Sequence, residues 1–154
     1  MGRIDTRLQE LNITLPAAAK PVANYVPWTR TGQLVFISGQ GPISDGKVLY
    51  PGQLGNSVSL EDGIRSARLC GINVIAQLRD ACSGNLDRVR RIVKLVGFVN
   101  ATPDFTEHPK VINGASDLMV EVFGDAGRHA RSAVASPSLP MGISTEVEAV
   151  VEIE

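Results

Sequence analysis

Several residue types are scarce in this chain, and each scarcity closes off a class of function. Cysteine occurs twice, at Cys70 and Cys82, and histidine twice, at His108 and His129. Both cysteines fall in one predicted helix, so their separation is ~18 Å at 1.5 Å per residue, beyond disulfide reach. No Cys/His cluster has metal-ligand spacing, and no structural metal is expected. Aromatic residues are few, with four Phe, two Tyr and one Trp. That leaves little stacking surface for single-stranded nucleic acid. Neither sign of charge dominates: the net charge is −1, which provides no broad attraction for nucleic acid or an anionic membrane. The one basic cluster, Arg88, Arg90, Arg91 and Lys94, reads as ordinary solvated charge. No apolar run approaches the roughly 20 residues of a membrane helix, and no signal peptide is evident, so a cytoplasmic location is expected.

What is present is the composition of one globular domain. The chain has 154 residues, 44% hydrophobic and 20% charged, enough for a core of ordinary size. Residues 1–22 read as an N-terminal extension, and residues 23–154 as a single domain. The extension holds a short helix over residues 3–12, striped by Ile4, Leu8 and Leu11, and a proline-bounded connector from residue 16 to 21. Two strands follow, over residues 25–29 and 34–40, around a loop containing Gly32. Alternation puts Leu34, Phe36, Ser38 and Gln40 on one face and Val35, Ile37 and Gly39 on the other. Residues 42–56 are loop, with a short strand at 47–50. Ser59 opens a helix in capping-box style, with Asp62 at the third position. Its arginine-rich face, with Arg65, Arg68, Gln77 and Arg79, is expected in solvent. Residues 88–100 form a long strand that is apolar on both faces from Ile92 onward, as in strands covered on both sides. A second helix over residues 106–123 carries the stripe Val111, Ile112, Ala115, Leu118, Met119, Val122 and Phe123, and stops at Gly124.

The C-terminal quarter is the most specific stretch. A short strand opens at Arg131, and residues 136–140 turn the chain back. The last ten residues then alternate, with Val147, Ala149, Val151 and Ile153 on one face and Glu146, Glu148, Val150, Glu152 and Glu154 on the other. The predicted order is β-β-α-β-α-β-β, an α+β domain with two helices on one face of a mixed sheet. The other face is partly apolar and no segment remains to cover it, which implies a homo-oligomer.

Two residues stand out for chemistry. A guanidinium such as Arg131 is a permanent, bidentate clamp for a carboxylate or phosphate; the bland reading is a structural ion pair to Glu148 or Glu152. A carboxylate such as Glu146, half-dried just after a turn, can act as a general acid/base; the bland reading is a solvated strand face, which suits Glu152 and Glu154 better.

The Ala130-Arg131-Ser132-Ala133-Val134 strand, the Leu139-Pro140 eight residues after the Arg and the Glu146-Val147-Glu148-Ala149 strand fifteen residues after it resemble the Rid/YjgF family of reactive imine/enamine deaminases. The resemblance extends from Tyr25 to Glu154. It implies a chorismate-mutase-like α+β fold, assembled as a homotrimer with clefts between subunits. It implies hydrolysis of 2-imino or 2-enamino acids to 2-keto acids and ammonia, without a cofactor. By resemblance, Arg131 holds the substrate carboxylate and Glu146 orients and activates water. Tyr25, thirteen residues before Ser38, packs on and hydrogen-bonds the ligand, and the Ser38-Gly39-Gln40 turn offers donors. Asn113 matches a family Asn near the start of the second helix. Ala133 stands where better-known members carry Cys, and Ala23-Asn24-Tyr25 replaces a common Gly-Pro-Tyr, which marks a divergent branch. The alternative is a non-catalytic module binding a small carboxylate, or a regulatory partner, on the same trimeric scaffold. A ribonuclease reading, attached to some relatives, finds no support in charge or aromatic content.

Overall fold

Alternating β-branched residues need a buried face, and the sheet is built so that they get one. A computed structural model describes residues 1–21 and 23–154. The boundary placed after Val22 falls at the one residue outside the described set. In chain order the elements are α1 (Arg3–Glu10), β1 (Trp28–Thr31), β2 (Leu34–Gln40), β3 (Ile43–Ser44), β4 (Lys47–Val48), α2 (Leu60–Ala81), β5 (Val89–Asn100), α3 (His108–Phe123), β6 (Ala130–Ser136) and β7 (Thr145–Ile153). Five strands form one sheet in the order β1-β2-β7-β5-β6, and β3 with β4 makes a small separate hairpin. Only the β5–β6 pair is parallel, as the intervening helix α3 requires.

The fold is therefore a single α+β domain with its helices on one face of a mixed sheet. Val147, Ala149, Val151 and Ile153 of β7 are buried, together with Val35 and Ile37 of β2 and Ile92, Leu95 and Val99 of β5. Against them lie Val74, Ile75 and Leu78 of α2 and the whole predicted stripe of α3, every residue of which is buried. Fully burying each Val, Leu or Ile is worth about 1.5–3 kcal/mol. The two long helices pack closely enough that a Cβ at Gly114 would strike the Ile64 carbonyl. Ser59 caps α2 by accepting from the Asp62 N–H at 3.1 Å, and Gly124, with φ +62°, follows the end of α3.

Several details differ from the pattern in the sequence, each for a physical reason. The first strand begins at Trp28, not Tyr25, because Pro27 has no N–H for a ladder; Trp28 is held by its indole N–H donating to Asp80 at 2.9 Å. The predicted strand at 47–50 is only Lys47–Val48. Helix α3 begins at His108, two residues later than expected, with Pro109 in its first turn. A bulge in β2 moves Gln40. Ile37 pairs with Ala149 and Gln40 with Val147, so Ser38 and Gly39 together oppose Glu148. The extra residue shifts the parity, and Gln40 joins Val35 and Ile37 on the helix-covered face, where it is buried. Gln77 is not in solvent either. It is buried beneath the connector and donates to the Ala19 carbonyl at 2.7 Å, while Arg79 donates to the Pro16 carbonyl at 3.0 Å.

Helix α1 adds Ile4 and Leu8 to the same core. Its free N-terminal amides are met by Asp87, which accepts from Ile4 N–H at 2.9 Å and Arg3 N–H at 3.0 Å. At its other end Arg7 donates to the Glu121 carbonyl of α3.

The face opposite the helices carries Phe36 and Ser38 of β2, Lys94, Val96 and Phe98 of β5, Val134 of β6, and Glu146, Glu148 and Val150 of β7. Phe36 and Val134 are exposed, and no element among the described residues covers them.

Candidate functional site

The predicted site residues separate into two groups, one on each side of the sheet. Arg131 lies opposite Leu95 in the parallel ladder, and Leu95 opposite Ala149. Both neighbours are buried on the helix side, so Arg131 points to the helix side as well. Ala133, opposite Gly97, follows on the same side of the edge strand, about 7 Å further along. Asn113, one and a half turns into α3, meets Arg131 there: the guanidinium Nη1 donates to Asn113 Oδ1 at 2.7 Å and to Ser116 Oγ at 3.1 Å. The supposed ion pair to Glu148 or Glu152 does not form, since both glutamates project from the other face and Glu152 lies 3.6 Å from Arg91. Among the described residues no carboxylate lies within ion-pair distance of Arg131. A positive charge held by neutral acceptors, half-buried on an edge strand, is ready for an anionic ligand.

Glu146 lies opposite Phe98, on the open face. Its carboxylate rests over the Gly39 backbone so closely that a methyl group at Gly39 would collide with it. Partial burial pushes the Glu146 pKa above the ordinary glutamate value, and the like charge of Glu148 pushes it the same way. This is the direction a general base needs in order to work near neutral pH. Ser38 stands beside it in the bulge. Both Ser38 donors are occupied, its N–H at 2.9 Å and its hydroxyl at 3.1 Å from the Pro27 carbonyl. Toward a ligand Ser38 therefore presents a hydroxyl lone pair, not the donor the resemblance implies. Tyr25 is 57% exposed, just before Val26, which lines the same open-face hollow of about 300 Å³ as Phe36, Ser38, Lys94, Val96 and Glu148.

Two site residues were not singled out from the sequence. Ser116 accepts from Arg131, and His129 hydrogen-bonds Ser116 at 2.8 Å and the Gly127 carbonyl at 2.6 Å. Asn113 and Ser116 lie three apart, on one side of α3, and His129 and Arg131 share the parity of one strand edge. Spacing alone could not say that these two edges meet.

The remaining reactive groups are structural. Both cysteines are buried thiols, and burial pushes Cys70 up to about 12, so it is inert as a nucleophile. Ser66, Thr145 and Ser144 form a buried hydroxyl chain beneath Glu146, with contacts of 2.6 and 2.7 Å. It fixes the backbone from which Glu146 projects. Among the described residues no three His, Cys, Asp or Glu side chains converge as a metal site would require, and no helix is long and apolar enough to cross a membrane.

The architecture defines a class: a mixed five-stranded sheet backed by helices on one face, with Arg131 on the helix side of its edge and Glu146 on its bare face. Comparison with known proteins identifies it. Residues 5–153 match the family described as "YjgF/chorismate mutase-like, putative endoribonuclease". The chain belongs to this Rid/YjgF family. It is 48% identical to Protein TCP17 of Trypanosoma cruzi, over 99% of this chain and 95% of that protein. The crystal structure of Atu1372 from Agrobacterium tumefaciens, of unknown function, superposes with a TM-score of 0.92 at 47% identity, covering 98% of this chain and 92% of that one. A structure from Shewanella oneidensis MR-1, carrying the same endoribonuclease label as the family, gives 0.94 at 39% identity, covering 99% of this chain and all (100%) of that one.

Proposed function

We propose that this protein hydrolyses 2-imino and 2-enamino acids to 2-keto acids and ammonia, in a cleft between two copies of the chain in a homotrimer. The observation that carries this reading is the division of the site. Arg131 and Asn113 lie on one side of the sheet and Glu146, Ser38 and Gly39 on the other, so one chain cannot bring both groups to one small molecule. A neighbouring copy laid against the bare apolar face would join one chain's arginine to the next chain's glutamate, and would bury Phe36 and Val134.

The chemistry asks little of the protein. An imine carbon next to a carboxylate is already electrophilic. Arg131 holds the carboxylate. Glu146, ionised, takes a proton from water as the water oxygen attacks the imine carbon. That proton passes to the nitrogen and gives a carbinolamine. Its new hydroxyl then yields the second proton, through Glu146, to the amino nitrogen as the C–N bond breaks, so that ammonia leaves and the C=O of the keto acid forms. An enamine first takes a proton at carbon to become the imine. General acid/base help of this kind is worth about 10²–10⁴-fold, with positioning in addition. The reaction as written uses no cofactor.

The ribonuclease designation of relatives receives no support from the basic cluster. Arg90 lies 3.6 Å from the Glu154 carboxylate, Arg91 lies 3.6 Å from Glu152, and Arg88 donates to the Glu154 backbone carbonyl at 2.7 Å.

A coupled assay tests the proposal. An amino-acid oxidase generates imino acids of graded side-chain size, and keto-acid release is followed while semicarbazide competes for the imine. Acceleration by the wild-type protein, lost in Arg131→Ala and in Glu146→Gln, is the expected result. A folded, trimeric protein that accelerates none of them, yet binds 2-oxobutyrate, would replace the deaminase by a carboxylate-binding module.

A further inference from the structure

We infer that Ser116 and His129 are positioning residues for Arg131, turning its guanidinium so that the Nε/Nη2 edge, and not the end of the fork, receives the ligand carboxylate. The inference deepens the proposed function and rests on its carboxylate-binding step.

The argument begins at Gly127. Its carbonyl can only accept, so the His129 Nδ1 that lies 2.6 Å away carries a proton and donates to it. In the neutral ring Nε2 then has only a lone pair. The Ser116 hydroxyl, 2.8 Å from Nε2, must donate to it. With its proton spent, Ser116 Oγ turns its own lone pairs outward, and Arg131 Nη1 donates to one of them at 3.1 Å. The direction of each bond dictates the next, from a backbone carbonyl to the guanidinium.

Asn113 Oδ1 takes the second proton of Nη1, at 2.7 Å. Nη1 has two protons, so both are consumed. Among the described residues, Nε–H and the two Nη2 protons have no acceptor. An end-on carboxylate would need one proton from each terminal nitrogen, and Nη1 has none to give. The free pair is Nε–H and one Nη2–H, parallel donors matched to the two oxygens of a carboxylate. Asn113 alone would leave the planar group free to swing about its one anchored nitrogen. The Ser116 bond closes that freedom, and His129 fixes which way Ser116 points. Arg128, Asp117 and Val120 border the same shallow depression, and none of them bonds the guanidinium.

The test combines a ligand titration with a measurement on the free protein. In the free protein, slowed rotation of the Arg131 guanidinium is expected in ¹⁵N NMR, with a protonated Nδ1 on His129; rotation should become fast in Ser116→Ala. In calorimetry with 2-oxobutyrate, Ser116→Ala and His129→Ala should each raise Kd about fivefold, the value of one net hydrogen bond. The double variant should lose no more than the worse single, because both act through one bond. His129→Gln, which can again accept from Ser116, should restore most of the affinity. In the coupled assay KM should rise with kcat unchanged, the signature of binding lost equally in ground and transition states. Folded Ser116→Ala with wild-type affinity, or losses that multiply to about 25-fold in the double variant, would overturn the assignment. A wild-type protein that shows slowed Arg131 signals yet binds no 2-oxobutyrate would refute the carboxylate reading of the cleft and leave the relay standing; fast Arg131 signals in the wild type would refute the relay itself.

Discussion

Arg131 and Glu146 project from opposite faces of one β-sheet. Arg131 shares its side with Leu95 and Ala149, Glu146 shares its side with Phe98, and the registers between these pairs run without interruption from Leu95 to Phe98. Two groups divided in this way can act on one small ligand, as proposed, only across a boundary between copies.

The division has a sharp consequence for mixed assemblies. Arg131→Ala and Glu146→Gln trimers should each be inactive alone. Mixed after dissociation and reassembly, they should form, on the proposed assembly, trimers in which some clefts draw an intact arginine from one copy and an intact glutamate from the next. Random assembly of two such variants leaves about a quarter of all clefts intact, and activity in the coupled assay should return to that level. No recovery, in samples shown by native mass spectrometry to have exchanged subunits, would place both groups in a site within one chain.

Gly39 is predicted to be a glycine because of the Glu146 carboxylate above it, where an added methyl group would collide. Gly39→Ala should push the carboxylate aside and lower kcat by on the order of tenfold to a hundredfold, as small misplacements of catalytic groups do. Binding of 2-oxobutyrate through Arg131 should be unchanged. Full turnover in Gly39→Ala would show that Glu146 need not lie where it does.

Glu146 also sets a pH dependence of stability. Its folded pKa is raised above the ordinary value of 4.5, first by burial and then by Glu148. The folded state therefore holds the proton more tightly than the unfolded chain. Stability from this group is full below 4.5 and falls as pH rises through the higher folded value. Glu146→Gln removes the buried charge, so its thermal midpoint should exceed that of the wild type at neutral pH, with the gain vanishing below the ordinary glutamate value. Equal midpoints at both pH values would mean that Glu146 carries no such strain.

The N-terminal helix depends on one carboxylate. Asp87 accepts from the Ile4 and Arg3 amides, and these bonds, in that order, hold its pKa below the ordinary aspartate value. A depressed carboxylate contributes its stability above the unfolded value and loses it as pH falls through the folded one. Asp87→Ala should release α1, read as faster amide exchange over residues 3–10 while β5 and β7 stay protected. Unchanged exchange would mean that Ile4 and Leu8 hold the helix by packing alone.

The sequence by itself determined whatever depends on neighbours along the chain. Period-two alternation marked β7, and an apolar stripe marked α3 residue by residue, because both periods are set by local backbone geometry. Ser59 and Gly124 marked helix ends through bonds and dihedrals that reach only a few residues. The Ala-Arg-Ser-x-Val and Glu-x-Glu-Ala strands pointed to the family for the same reason. Tertiary structure alone decided which way these pieces face. Alternation tells two faces apart within a strand, but carries no information about which face of the next strand it matches. So the separation of Arg131 from Glu146 required the pairings of β5 with both β6 and β7. The bulge at Ser38 and Gly39 shifted Gln40 into the core, because one unpaired residue reverses every later side chain. The connector's carbonyls drew Gln77 and Arg79 away from solvent. And Ser116 came to His129, thirteen residues away in the chain, only because α3 crosses back over the edge where β6 begins.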